Sequence, residues 1–297
     1  MTESKTTLVT GATGLVGQRL CRHLKQVGHT VRTLSRGSSG DFQWDPAKGR
    51  LPGEALAGVD AIVHLAGESV AQRWTAEVKR RILESRVQST ALIARKLLEG
   101  DSRPDFISAS GINFYGYDQD EPRDEGSSSG RGFLAEVCRQ WEEAAAPLEK
   151  AGCRCVYLRT GVVLSRQGGA LAKMLPPFRA GVGGRVGDGR QAMSWIALDD
   201  LIRIYALCLE DPELFGPLNA VAPEPVTNRT FAQTLGKVLG RPAFIPLPAF
   251  AVRSMFGEMG RETILSNLTI TPGKLINSGF DWSFPQLEAA LTHSLNS

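Results

Sequence analysis

The sequence predicts an α/β protein built on a doubly wound parallel sheet, followed by a smaller C-terminal lobe. Short runs rich in β-branched residues alternate with longer helical patterns, which is typical of βαβ units. A glycine-rich turn joins the first of these runs to the first helical pattern. With 297 residues, 42% of them hydrophobic, the chain is long enough to bury a large core.

The strands and helices follow one another in regular alternation. The predicted strands are Thr6–Thr10, Thr30–Leu34, a short one around Phe42–Trp44, Ala61–Leu65, Phe106–Ala109, Val156–Arg159 and Leu218–Ala220. The predicted helices are Leu15–Gln26, Glu77–Leu98, Phe133–Lys150, Asp199–Leu209 and Phe231–Leu239.

Glycine and proline mark a change of texture in the second half of the chain. Residues 168–195 contain repeated glycines and Pro176-Pro177, so we expect a loop that covers the active site. Prolines interrupt the chain again from Pro223 onward. We therefore predict a nucleotide-binding domain over 1–222 and a smaller C-terminal substrate lobe over 223–297.

Composition excludes several classes of partner. The net charge is +3 with no dense basic block, which does not favour nucleic acid. Four dispersed histidines and five scattered cysteines predict no metal site, and indicate thiols of a reducing compartment. No apolar run has membrane-spanning length and no signal peptide is visible, so we expect a cytoplasmic protein with no membrane partner.

The glycine-rich turn predicts a dinucleotide site. Its residues are Gly11-Ala12-Thr13-Gly14-Leu15-Val16-Gly17. Gly11 permits the tight turn, Gly14 lets backbone amides approach a pyrophosphate, and Gly17 lets the helix lie close to the strand. The free amides and positive potential at the start of the helix attract the anion. This arrangement is that of a Rossmann-type fold.

The end of the second predicted strand favours NADP(H) over NAD(H). An acidic residue there would accept hydrogen bonds from the ribose 2′-hydroxyl, whereas arginine accommodates a 2′-phosphate. Here the strand ends in Ser35 and Arg36, and the nearest acidic residue is Asp41, farther into the loop. Ser35 can donate a hydrogen bond and Arg36 offers a planar, permanently charged fork.

Several further blocks resemble the short-chain dehydrogenase/reductase superfamily, on its extended, epimerase-like side. They are Thr10–Gly17, His64-Leu65-Ala66-Gly67, Ile107-Ser108-Ala109-Ser110, Phe114-Tyr115-Gly116 and Trp195-Ile196-Ala197-Leu198-Asp199-Asp200. A closer similarity, to an atypical epimerase-like subfamily with a small C-terminal domain (predicted nucleoside-diphosphate-sugar epimerases), rests on longer blocks. These include His64–Glu68, Arg73-Trp74, Leu83–Arg86, Arg159–Leu164, Met174–Arg179 and Gly257-Glu258-Met259.

The resemblance implies an NADP-binding fold and a set of cofactor-contacting positions. With the glycine turn and the end of the second strand, these are Gly11, Thr13, Gly14, Leu15, Val16, Ser35, Arg36, Leu65, Ala66, Gly67, Glu68, Arg86, Ser108 and Arg159. Arg86 has an alternative interpretation as a charge on the helix surface. A homodimer is common among proteins of this kind and is possible here.

The tyrosine–lysine pair that the superfamily uses for proton transfer is missing. The four tyrosines are not followed four residues later by lysine, and by resemblance Phe133 and Val137 occupy the two positions. Ser110 and Tyr115 are the remaining catalytic candidates; Tyr115 can equally pack beneath a loop with its hydroxyl bonded to the protein. Glu142 and Glu143 fit a solvated helix face.

Two functions follow from these observations. The first is an NADP(H)-dependent oxidoreductase or epimerase-like enzyme for a small polar substrate, in which Ser110 holds the reacting oxygen. The second is a non-catalytic NADP(H)-binding sensor or interaction protein, which the missing pair suggests.

Overall fold

The computed structural model describes residues 4–297 and has a seven-stranded parallel sheet at its centre. The strands of the described chain are β1 (Thr6–Thr10), β2 (Thr30–Ser35), β3 (Phe42–Gln43), β4 (Ala61–His64), β5 (Asp105–Gly111), β6 (Cys155–Thr160), β7 (Val162–Leu164), β8 (Ala192–Met193), β9 (Trp195–Ala197), β10 (Gly216–Ala220) and β11 (Val226–Thr227). The α-helices are α1 (Leu15–Gln26), α2 (Ala76–Leu98), α3 (Phe133–Glu143), α4 (Ala146–Lys150), α5 (Gly169–Arg179), α6 (Leu198–Glu210), α7 (Asn228–Leu239), α8 (Ala249–Glu262), α9 (Gly273–Asn277) and α10 (Leu287–Asn296).

The strand order identifies where a ligand can enter. The sheet runs β10-β6-β5-β4-β1-β2-β3, so the chain direction across the sheet reverses between β1 and β4. In a doubly wound sheet the crevice outside the carboxyl ends of the strands at this switch point is the ligand site. The predicted fold class is therefore confirmed, and the glycine turn lies directly after β1.

Two hydrophobic cores cover the two faces of the sheet. One contains Leu20 and Leu24 of α1 with Ile204 and Tyr205 of α6, and the other contains Ile93 of α2. All five of these side chains are almost completely buried. The helices are held by this apolar burial, which positions the carboxyl ends of the strands at one open edge.

A third core lies under the C-terminal part of the chain. It joins Leu171 and Leu175 of α5 to Phe231 of α7 and Leu291 of α10. Segments before and after residue 222 thus share one core, and Leu275 of α9 packs into the main core. The division at residue 222 remains a prediction.

The covering loop predicted for residues 168–195 is wrong over its first part. Gly169–Arg179 forms α5, with Pro176 and Pro177 inside the helix. Leu171, Leu175 and Phe178 are buried at helical spacing. The burial of these side chains stabilises the helix by more than it loses through the two backbone amide donors that the prolines lack.

The single helix predicted over Phe133–Lys150 is divided into α3 and α4. The break comes at Ala144-Ala145, and Pro147 occupies the first turn of α4. Proline is accepted at this position because its missing amide has no intrahelical partner there.

Candidate cofactor and active site

The glycine turn is packed tightly against the loop after β4. A Cβ on Gly11, whose φ is +68°, would lie 2.8 Å from the backbone carbon of Leu65. A Cβ on Gly17 would lie 2.3 Å from the carbonyl oxygen of Gly11. Both positions therefore require glycine, as the sequence predicts for a close strand–helix approach.

A buried histidine fixes the loop that follows β4. The Thr10 hydroxyl accepts hydrogen bonds from the amides of Leu65 and Ala66, both at 3.1 Å, and its own proton is free for His64 Nδ1 at 2.7 Å. The proton of His64 then lies on Nε2, 3.0 Å from the Ser89 hydroxyl. Complete burial, with a smaller effect of a nearby arginine, lowers the pKa of His64 to about 3. The imidazole is therefore neutral.

The largest cavity described lies between the glycine turn and the ends of β2 and β4. Its volume is about 560 Å³, which is in the range of pockets that take small molecules and cofactors. Nine of the predicted cofactor residues line it: Gly11, Thr13, Gly14, Ser35, Arg36, Leu65, Ala66, Gly67 and Glu68. Residues from three segments of the sequence are thus brought together around one space.

Further lining residues were missed by the sequence analysis. Trp44, Asp45 and Pro46 follow β3, and Ser85 and Gln88 come from α2. The Trp-Asp-Pro sequence at the end of a short predicted strand was the available signal. Without the strand pairing of β2 with β3, nothing in the sequence places it beside Arg36.

Two of the predicted cofactor residues lie at the start of α1. Leu15 and Val16 are half-buried and do not line the main cavity. Leu15 instead lines a second cavity of about 370 Å³, with Arg19, Asp199 and His293. There Asp199 accepts hydrogen bonds from Arg19 Nε at 3.0 Å and His293 Nε2 at 2.6 Å.

Arg86 lies behind the cavity wall. Its Nη1 donates to the carbonyl oxygens of Glu68 at 3.0 Å and Ile82 at 2.9 Å, and its guanidinium lies 5.0 Å from the centre of the Trp141 ring. Burial lowers the pKa of Arg86. Arg86 supports the backbone of the loop at Gly67 and Glu68, and its role in cofactor binding stays a prediction.

The ends of β5 and β6 carry a buried polar network. The Ser110 hydroxyl donates to Glu142 Oε1 at 2.7 Å. Arg159 holds both oxygens of the same carboxylate, at 2.9 and 2.7 Å, and also donates to the Tyr115 hydroxyl at 2.9 Å. Tyr115 in turn donates to Asn219 Oδ1 at 2.8 Å. Glu142 is therefore not on a solvated helix face, since its side chain is 11% exposed.

This network changes the interpretation of Tyr115. The residue is 1% exposed, and burial raises the pKa of its hydroxyl. A proton carrier at neutral pH needs the pKa shifted in the opposite direction. The structure favours the alternative of a tyrosine packed beneath a loop with its hydroxyl bonded to the protein, and a catalytic role for Tyr115 stays a prediction.

Three predicted residues lie within or beside the network, outside the lining of the cavity. Ser110 is buried, with its proton directed to Glu142. Ser108 is buried with its hydroxyl bonded to the neighbouring carbonyl oxygen of Ala109, at 3.0 Å. Arg159 is stacked at 3.4 Å on the Phe114 ring.

The position of the missing tyrosine is filled by an aromatic cluster. The Phe133 ring lies 4.9 Å from the Trp74 ring, and Lys79 Nζ lies 4.6 Å from the Phe133 ring centre. Lys79 is paired with Glu258 of α8 at 2.9 Å. The carboxylate of Glu262 accepts hydrogen bonds from the backbone amides of residues 133 and 134, both at 2.9 Å, and so caps α3.

Two negative findings apply to residues 4–297. No group of three or more histidine, cysteine or acidic side chains in this range is arranged to hold a metal ion. No helix in the same range is long and apolar enough to cross a membrane.

A parallel doubly wound sheet, a glycine turn at its switch point and a cavity reaching the end of β2 define a dinucleotide-binding protein of the Rossmann type. Comparison with family models agrees. Residues 7–220 match the model described as NAD dependent epimerase/dehydratase family, and residues 247–294 match Domain of unknown function (DUF1731). The chain belongs to the NAD dependent epimerase/dehydratase family.

Similar proteins cover nearly the whole chain. Epimerase family protein MT2273 of Mycobacterium tuberculosis is 38% identical over 96% of this chain and 96% of its own length. A crystal structure of human epimerase family protein SDR39U1 (isoform 2) with NADPH is 36% identical, with a TM-score of 0.89 over 98% of this chain and 100% of that one. A nucleoside-diphosphate sugar epimerase from Corynebacterium glutamicum is 37% identical, with a TM-score of 0.80 over 99% of this chain and 58% of that one.

Proposed function

We propose that this protein binds NADP(H) in the cavity at the switch point. The observation that carries the proposal is the shared lining of one space by the glycine turn and by Ser35-Arg36. The human relative crystallised with NADPH supports the same cofactor. In the proposed complex the amides after Gly14 receive the pyrophosphate, and Ser35 and Arg36 receive the 2′-phosphate.

A titration of thermal stability tests the cofactor. NADPH, NADP, NADH and NAD are each added to the wild type, to Arg36→Ala and to the control Lys150→Ala. Lys150 is an exposed cation at the end of α4 and does not line the cavity. A ligand at a hundredfold excess over its Kd stabilises the folded state by about 2.7 kcal/mol. We expect stabilisation by the 2′-phosphorylated pair, lost only in Arg36→Ala; no shift with any ligand contradicts the proposal.

We further propose an oxidoreductase or epimerase-like activity on a small polar substrate, held between the sheet and the C-terminal lobe. The bound cofactor would supply hydride transfer, and this chain would bind and orient the substrate without a tyrosine–lysine pair. Screening carbonyl compounds and sugar nucleotides for hydride exchange with the cofactor tests this activity. Loss of exchange in Ser110→Ala, with NADPH binding retained, is the expected result for a substrate-holding serine.

A non-catalytic NADP(H)-binding sensor is the second candidate. It is favoured by Phe133 and Val137 in the proton-transfer positions and by the engagement of Tyr115 in the buried network. Tight NADPH binding with no hydride exchange across the screen, together with a partner captured only in the liganded state, is its distinguishing result.

The assembly and location are also proposals. We propose a homodimer, which sedimentation equilibrium tests directly, and no nucleic-acid partner, given the net charge of +3. All five cysteines are free and four are buried, which supports a reducing compartment such as the cytoplasm.

A further inference from the structure

Large apolar side chains are exposed on two segments of the chain that lie side by side, one at residue 182 and the other over residues 244–255. They are Val182, Phe244, Ile245, Leu247, Phe250 and Met255, which we call the Phe244/Phe250 surface. Phe244 and Phe250 are each 74% exposed. Soluble proteins expose single apolar residues freely, but a cluster indicates an interaction site.

Hydrogen bonds hold the two segments of this surface side by side. The amide of Ile245 donates to Gly183 at 3.3 Å, and the amide of Leu247 donates to Arg185 at 2.9 Å. A Cβ on Gly187 would lie 3.6 Å from the Ala249 methyl, where α8 begins. Phe250 is in the first turn of α8, so both segments contribute to one surface.

The charges around this surface have one dominant sign. Residues 179–192 and 240–256 contain five arginines and a single acidic residue. Arg179, Arg190, Arg241 and Arg253 are exposed. On α8, Arg253 lies three residues after Phe250 and therefore on the same helix face. The acidic residue, Asp188, is 4.0 Å from Arg190.

The shape of the surface argues against a small ligand. None of its six apolar residues lines a cavity described in the structure, whereas small molecules bind in concave pockets. A second copy of the chain is also disfavoured, because a two-fold contact would place the arginines of each copy against each other. Exposed phenylalanines with exposed arginines on the same segments of the chain complement a soft, anionic, apolar surface.

We propose that the Phe244/Phe250 surface docks on an anionic lipid bilayer. The phenylalanines enter the boundary between headgroups and acyl chains, and the arginines contact the anionic headgroups. The expectation from the sequence was no membrane partner, and it rested on spanning length. Contact with the bilayer surface needs only this patch. The inference is independent of the cofactor and of any activity.

Co-sedimentation with lipid vesicles tests the docking. The full-length protein is mixed with vesicles of phosphatidylcholine alone, or of phosphatidylcholine and phosphatidylglycerol in equal parts, at low and high salt. The variants are Phe244→Ser with Phe250→Ser, and the control Phe215→Ser. Phe215 is 63% exposed, has a nearby cation in Lys274 at 5.3 Å, and directly precedes the edge strand β10.

We expect binding to the mixed vesicles alone and weakening at high salt. In the wild type each phenylalanine ring leaves water when it enters the bilayer, and serine lacks this gain. Partitioning of the double variant into the vesicles should therefore fall about tenfold or more. Phe215→Ser should bind like the wild type. A circular dichroism spectrum and a urea midpoint like those of the wild type show that the double variant is folded. Three results overturn the proposal: no binding to mixed vesicles, an equal loss in the control, or a dimer that the double variant converts to monomer without vesicle binding.

Discussion

Replacing Glu142 by glutamine tests whether the buried network holds the ends of β5 and β6 together. The carboxylate accepts three hydrogen bonds, from Ser110 and from two nitrogens of Arg159, at 2.7 to 2.9 Å. The side chains of Arg159 and Glu142 are only 5% and 11% exposed, so water screens the pair little. Removing one partner leaves a buried guanidinium without its counter-charge, which costs about 3–5 kcal/mol. Because glutamine keeps the shape, we expect a loss of about 3 kcal/mol.

Urea unfolding followed by circular dichroism measures this loss, and Glu143→Gln is the matched control. Glu143 is the next residue of α3 and pairs with Arg139 at the surface, where its side chain is 58% exposed. Such a pair contributes less than about 1 kcal/mol. The double variant Glu142→Gln with Arg159→Met should be less destabilised than the single one, because it leaves no unpaired charge. Equal effects at Glu142 and Glu143 would refute the reasoning.

Two further predictions concern the glycine turn and the histidine beside it. The pKa of His64 is lowered from 6.5 to about 3 in the folded protein, so the unfolded chain takes up a proton first as the pH falls below 6.5. The free energy of unfolding should therefore fall by about 2 kcal/mol between pH 7 and pH 5 on this account. His64→Gln should flatten that part of a pH series of urea titrations, and an unchanged slope would contradict it. In Gly17→Ala the new Cβ meets backbone atoms of Gly11 and Ala12 at 2.3 and 2.8 Å, so the helix must shift. We expect Gly17→Ala to lower the free energy of unfolding by about 1–3 kcal/mol and to abolish the stabilisation by NADPH. In the control Gly53→Ala the new Cβ meets nothing within 4 Å, so the stability and the NADPH effect should equal those of the wild type. Similar results for the two variants would contradict the close approach at Gly17.

The sheet and the cofactor cavity were predictable because their signals are local. Both ends of β1 and α1 agree with the ranges predicted from alternation and helical period. A glycine turn between a strand and a helix fixes backbone positions within a few residues. The position of Arg36 at the site follows directly from the predicted end of β2. The loop predicted for residues 168–195 was wrong at α5 because the glycines and prolines were given more weight than the helical spacing of Leu171, Leu175 and Phe178.

The interior of the candidate site was not predictable because its contacts are remote in sequence. Ser110 meets Glu142 from α3, and Tyr115 meets Asn219 from β10 across 104 positions. The helical pattern around Trp141 predicts that the side chains of Glu142 and Glu143 are both exposed to solvent. Only the pairing of β5 with β6, which brings Arg159 beside Ser110, separates a buried ion pair from a surface charge.

The cap that Glu262 provides for α3 has a consequence for how the protein is made. The backbone amides of Phe133 and Leu134, at the start of α3, donate to the carboxylate of Glu262, which lies 129 and 128 residues farther along the chain. Contacts over such distances are closed late, since their loop entropy must be overcome first. A nascent chain that stops short of residue 262 therefore carries the glycine turn and the whole sheet, with the first turn of α3 still uncapped. The cap of α3 is completed only when the chain beyond the sheet has been synthesised.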